Sequence, residues 1–131
     1  MPGKILIVED DAVTLDLLVR LIKAHGFTVQ TADDGDAAIV AATTHRPDLV
    51  LCDVNLPTVN AHEVLQRLRA APATRDIAVV ALTASGAANP AAQAGVRTRI
   101  LEMGFAGYIP KPVNLSSFAA EVAAYLPPHL R

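Results

Sequence analysis

At 131 residues the chain has the length of one domain, and its 52% hydrophobic content can close a full core, burying roughly two-thirds of the unfolded surface. Eleven Lys and Arg against thirteen Asp and Glu give a net charge of -2 with no basic run, which argues against direct nucleic-acid binding. One Cys excludes an internal disulfide, and the apolar run 5–8 is too short for a signal-peptide core or a membrane span, so a cytoplasmic protein without membrane association is expected.

Lys4 to Val8 reads as a continuous apolar strand that ends in Glu9-Asp10-Asp11. Three acids at a strand's C-terminal end repel one another, and such a cluster points to a cation or a base nearby. Acids also favour the first turn of a helix, and capping alone accounts for Asp11. Thr14, Leu17, Leu18, Leu21 and Ile22 then fall within an arc of about 140° at 100° per residue, which predicts a helix facing a sheet, with Leu17 in the core. Gly26 stops it.

Phe27 to Thr31 is the second expected strand. The turn Asp33-Asp34-Gly35-Asp36 leads into a helix through Ala37, Ala38, Ile39 and Ala42, ending near Thr44. Leu49-Val50-Leu51-Cys52 runs into Asp53 as a fully buried strand. A carboxylate at that place either caps the following loop or faces the crevice where open parallel sheets bind ligands. Asn60-Ala61 opens a third helix with Val64, Leu65 and Leu68 inward, and Pro72 stops it.

Ile77 to Leu82 is the fourth strand, ending at Thr83. Asn89-Pro90 offers a cap followed by proline at the first helical position. Val96, Ile100 and Met103 repeat at helical spacing before Gly104. Residues 84–95 lack large apolar anchors and contain Gly95, so a long loop and a frayed first helical turn or two are expected there, softer than 96–103. Gly107-Tyr108-Ile109 is a short last strand, followed by Lys111-Pro112. Asn114 is expected to cap a last helix with Leu115, Phe118, Val122 and Leu126 inward.

Strands alternating with helices predict a parallel sheet with helices on both faces. The strand ends then bring Glu9, Asp10, Asp53, Thr83 and Lys111 to one edge. Carboxylates with one Lys and one Thr suit a divalent cation and a phosphoryl group, and a carboxylate can itself attack phosphorus. Cys52 should point away from that site as a small hydrophobe, and the four His show no metal-ligand spacing.

Four ordered motifs now resemble one family. Lys4-Ile5-Leu6-Ile7-Val8-Glu9-Asp10-Asp11, Leu51-Cys52-Asp53-Val54-Asn55-Leu56-Pro57, Ala81-Leu82-Thr83-Ala84 and Gly107-Tyr108-Ile109-Pro110-Lys111-Pro112 are similar to the receiver domain of two-component response regulators, over essentially the whole chain. The resemblance implies a flavodoxin-like, doubly wound five-stranded parallel sheet in order 2-1-3-4-5 with five helices, residues 1–131 forming one receiver domain. It implies Asp53 as phosphoacceptor, Glu9, Asp10, Asp53 and the backbone carbonyl of Asn55 around Mg²⁺, and Lys111 on a phosphoryl oxygen. Thr83 and Tyr108 become a switch pair, and Lys111-Pro112 a cis peptide. A histidine kinase or histidine phosphotransfer protein would donate the phosphoryl group, and a downstream protein or covalently linked output domain would read it. The domain would be no enzyme beyond assisting its own phosphorylation and dephosphorylation. Because the poorly anchored 84–95 segment adjoins Thr83, phosphorylation is expected to order it and create a partner surface beside Tyr108, an inert spacer being the alternative.

Three departures stand out. Asn60-Ala61 replaces the family's usual Asp-Gly, which would strain Ala61 if positive φ were required. Glu9-Asp10 replaces Asp-Asp, a common variant. Thr83 and Lys111 are 28 positions apart, against about 22 in typical members, the extra residues lying before the fourth helix. A protein-binding module with vestigial phosphorylation is the alternative, although every phosphotransfer residue is present. A cofactor-binding or hydrolytic enzyme fits less well. No Gly-rich loop follows the first strand, and Asn55 stands where an Asp-x-Asp phosphatase needs its second acid.

Overall fold

The computed structural model describes residues 3–54, 56, 60–83, 90–111 and 113–131, with backbone alone for 90–94 and 96. The elements alternate as β1 (Lys4–Val8), α1 (Ala12–Ala24), β2 (Thr28–Ala32), α2 (Gly35–His45), β3 (Leu49–Asp53), α3 (Ala61–Ala70), β4 (Ala78–Thr83), α4 (Pro90–Glu102), β5 (Gly107–Pro110) and α5 (Phe118–Ala123). A 3₁₀ turn, Pro128–Leu130, follows. All neighbouring strands pair parallel, in the order β2-β1-β3-β4-β5. This is the flavodoxin-like arrangement expected from the motif order.

The apolar strands have no polar face because both faces are covered. Leu6, Val8, Val50, Cys52, Val79 and Ala81 pack with α2, α3 and Ile100 of α4. Their alternate neighbours Ile5, Ile7, Leu49, Leu51, Val80 and Leu82 pack with Leu18 and Ile22 of α1 and Phe118 and Val122 of α5. The period of two along each strand divides the side chains between the two layers. At the outer edge, β2 carries exposed Thr28 and Thr31 and only half-buried Val29 and Gln30.

Several packing expectations need correction. On α1 the sheet-facing stripe is Leu15, Leu18, Val19 and Ile22, spaced i, i+3, i+4, i+7. Leu17 projects from the far side of that stripe and is 40% exposed, so it is not core. Leu21 and Thr14 lie half-buried at the margin. Near the C-terminus, the Asn114 side chain accepts from the backbone N and the hydroxyl of Ser116. Its carbonyl accepts from the N–H groups of Ser117 and Phe118. This local turn competes with helix, so α5 starts at Phe118 and Leu115 is left exposed. Phe118, Val122 and Leu126 are buried as expected. Met103 is exposed because α4 ends at Glu102 and Gly104 turns the chain at φ +106°, which gives the buried place to Phe105.

The start of α4 at Pro90 agrees with the Asn89-Pro90 signal, and 90–95 form the first helical turns expected there. Residues 84–89, the other half of the segment expected to be soft, lie outside the described residues. Ala61 is the first residue of α3 and buried, and among the described non-glycine residues only Arg46 has positive φ. The departure from Asp-Gly therefore brings no strain at Ala61. Asn60, with extended backbone, accepts from the Glu63 N–H at 2.9 Å and caps α3. Asn60→Ala is expected to cost about 1 kcal/mol in chemical denaturation, while Asn60→Asp keeps the cap and most of the stability.

Candidate functional site

Parallel pairing places the C-terminal ends of β1, β3, β4 and β5 along one edge of the sheet. Glu9 follows β1 directly, and its N–H donates to the Ala32 carbonyl at 3.1 Å, tying the turn to the end of β2. Its side chain is fully buried. Asp53 ends β3 and Thr83 ends β4, each 5% exposed. Asp10 is exposed at the rim. Lys111 follows β5, and its backbone N–H donates to the Thr83 carbonyl at 2.7 Å.

The Lys111 ammonium donates to Glu9 Oε1 at 2.8 Å and to Asp53 Oδ2 at 3.2 Å. One carboxylate oxygen from each of Glu9, Asp10 and Asp53 lies within 4.8 Å of the others. Five of the sequence-predicted residues thus stand at one edge, four of them in a single cluster of side-chain oxygens and one ammonium. The carbonyl of Asn55 and the peptide at Pro112 fall outside the described residues. Tyr108 is half-buried and pairs in register with Ala81, two positions before Thr83.

Burial raises the Glu9 carboxyl to about 7. A hydrogen bond with Asp53 and the Asp53 charge add to the rise, while Lys111 opposes it. Burial also works against the charge on Lys111, but Glu9 and Asp53 outweigh it and hold the ammonium above its ordinary pKa. Three carboxylates facing one ammonium leave excess negative charge when all are ionised. The second Glu9 oxygen, Oε2, is buried and has no hydrogen-bond partner among the described residues. An all-oxygen donor set with one oxygen unsatisfied suits a hard divalent cation.

The neighbouring residues take structural roles. Asp11 accepts from the N–H and hydroxyl of Thr14, which lowers its pKa, and caps α1. Cys52 alternates to the opposite face and packs in the core with α2 and α3. Burial, with the charges of Asp53 and Glu9, pushes its thiol up to about 12. His62 is exposed on the first turn of α3, with its ring nitrogen 3.4 Å from Gln66 Nε2. The double engagement of Lys111 with Glu9 and Asp53 is what sequence reasoning missed. Strand-end position gathers these residues, but it does not say that the lysine bridges two acids.

Known proteins share this fold and much of its sequence. The receiver-domain model of response regulators matches residues 5–123. The polar-differentiation response regulator DivK of Brucella anthropi is 36% identical over 126 residues, covering 96% of this chain and 98% of that protein. A crystal structure of a putative response regulator from Chloroflexus aurantiacus superposes with a TM-score of 0.82 at 27% identity, covering 95% of this chain and 97% of that one. The receiver domain of the sensor histidine kinase PA1611 from Pseudomonas aeruginosa superposes with a TM-score of 0.80 at 26% identity, covering 95% and 98%, and holds a magnesium ion in its active-site cleft. With the strand order, the acidic edge and a family match along nearly its whole length, this chain belongs to the response regulator receiver domain family.

Proposed function

We propose that residues 1–131 work as one receiver domain, a phosphorylation-controlled switch of a two-component system with Asp53 as its phosphoacceptor. The observation that carries this reading is the Asp53 carboxylate at the end of the central strand, 3.2 Å from the Lys111 ammonium and clustered with Glu9 and Asp10. The donor is a phosphohistidine of a histidine kinase or of a histidine phosphotransfer protein. An Asp53 oxygen attacks phosphorus, the P–N bond breaks with its electron pair going to the freed nitrogen, and the imidazole leaves as the neutral ring, its proton already on the other nitrogen. Hydrolysis reverses the state when water attacks phosphorus and Asp53 departs as a carboxylate.

The other residues assist at stated atoms. Lys111 Nζ turns from Asp53 Oδ2 to a phosphoryl oxygen, and the Thr83 hydroxyl donates to another. Glu9, Asp10 and Asp53, with the carbonyl of Asn55, would hold Mg²⁺. When bound, Mg²⁺ supplies positive charge that neutralises the carboxylates and the transferring group. Tyr108 pairs with Thr83 in the switch. The domain turns over no external substrate. A downstream protein or a linked output domain reads the altered surface in the cytoplasm. No helix among the described residues is long and apolar enough to cross a membrane.

Intact-mass measurement after treatment with acetyl phosphate and Mg²⁺ tests the assignment. One added phosphoryl group is expected, absent from Asp53→Asn. Retention of the label in that variant overturns it. Asp10→Asn is expected to abolish Mg²⁺ binding in titration calorimetry while leaving the cation-free fold as stable or more stable, since it removes repulsion. Loss of stability without cation would make the acid structural instead.

A further inference from the structure

Gly107 opens β5, and the space where a side chain would begin is already taken. A Cβ at that position would lie 2.6 Å from both Cε1 and Cζ of Tyr125, closer than real Cβ atoms approach any neighbour. The tip of Tyr125 therefore rests on bare backbone of β5. Tyr125 is fixed at the other end by α5, where its N–H donates to the Val122 carbonyl at 3.0 Å. Its ring packs on the layer shared by α1 and α5, while Tyr108, the next residue after Gly107, packs on the opposite layer. Both tyrosines nevertheless line one cavity of about 320 Å³, with Arg97 and Leu101 of α4.

β5 is an edge strand, with β4 as its one neighbour in the sheet. Its C-terminal end is tied to the acidic cluster through Lys111, by the ammonium contacts to Glu9 and Asp53 and the backbone bond to Thr83. A group added to Asp53 takes the place of the 3.2 Å Lys111 contact and forces the lysine to a new aim. As an edge strand joined directly to Lys111, β5 is the element placed to absorb that movement. Tyr125 has no slack over Gly107, so a shift of β5 must move the ring, and the adjoining cavity gives it room.

We propose that Tyr125 is a positioning residue that couples α5 to the state of Asp53, through Lys111 and the Gly107 seat on β5. The device rests on the phosphoacceptor reading above. It makes the two tyrosines respond together from opposite layers of the sheet. Gly107 is then required for coupling as well as for fit.

The chain has two Tyr and no Trp, so 3-fluorotyrosine labelling gives two fluorine resonances, assigned with Tyr125→Phe. Beryllium fluoride with Mg²⁺ serves as the phosphoryl mimic, and its bound fluorines appear in the same spectrum. In the otherwise unaltered protein the Tyr125 resonance is expected to shift as the bound-mimic signal grows. In Gly107→Ala, whose methyl displaces the ring, that resonance starts at a solvent-like position and stays there on mimic binding. Bound mimic with an unmoved Tyr125 resonance in the unaltered protein overturns the coupling alone. Absence of any bound-mimic signal overturns the phosphoacceptor reading, and the coupling with it. Should Gly107→Ala fail to fold, the response of the unaltered chain still decides.

Discussion

Lys111→Met is expected to lower the stability of the cation-free protein by about 3 kcal/mol at pH 8, because it leaves two buried carboxylates without their shared cation. Met retains an apolar stem of similar reach, so the loss reports charge rather than packing. The pH dependence follows from Glu9, whose carboxyl is raised to about 7 by burial and by Asp53. A carboxyl with a folded pKa above its unfolded value binds more protons folded than unfolded. Its effect is absent below the unfolded value of 4.5, grows as pH rises from there to about 7, and is fully destabilising above. Without Lys111 to offset that cost, the variant should approach the parent at pH 5 and fall furthest behind at pH 8. Millimolar Mg²⁺ should recover much of the difference by replacing the missing positive charge. Urea midpoints at the two pH values, with and without Mg²⁺, check this. A deficit independent of pH and cation would show that Lys111 acts through packing alone.

Phe118→Ala is expected to cost about 3 to 5 kcal/mol. Phe118 is fully buried and stands at the head of α5, a helix of only six residues. A helix that short has little stability of its own and is held by what it buries. Phe118 shares its layer with Ile5, Ile7, Leu82 and Ile109, so its removal leaves a void between α5 and the centre of the sheet. Domains of this size are commonly stable by about 5 to 15 kcal/mol, so the variant loses a large share of its margin. Phe118→Leu fills most of the space and should cost less than half as much. Denaturant unfolding of the three proteins measures the series. Equal stability of all three would mean that α5 is not anchored by this side chain.

The sheet was legible because β1, β3 and β4 are short apolar runs bounded by turn signals, with chemistry-bearing residues at their ends and helical patterns between them, as a buried parallel sheet requires. Glu9, Asp53, Thr83 and Lys111 could be collected from that rule before any coordinate. Helix faces were harder. The arc from Thr14 to Ile22 contained enough leucines to fit two neighbouring orientations, and only contact with the sheet selects Leu15 and Val19 over Leu17. Asn114 can cap a helix or close its own turn, and both uses satisfy the same side-chain oxygen. The seat of Tyr125 on Gly107 joins residues 18 positions apart that no periodicity links.

The two open margins of the sheet also bear on how the protein behaves in a crowded solution. β2 shows threonines and a glutamine rather than a flat apolar ribbon, and β5 has four residues and closes on Pro110, which has no N–H to offer. Unprotected margins are where strangers' strands attach and fibres begin. One margin here is too polar to hold a newcomer and the other too short to guide one. The sheet therefore offers a second copy of the chain little backbone to pair with at either margin.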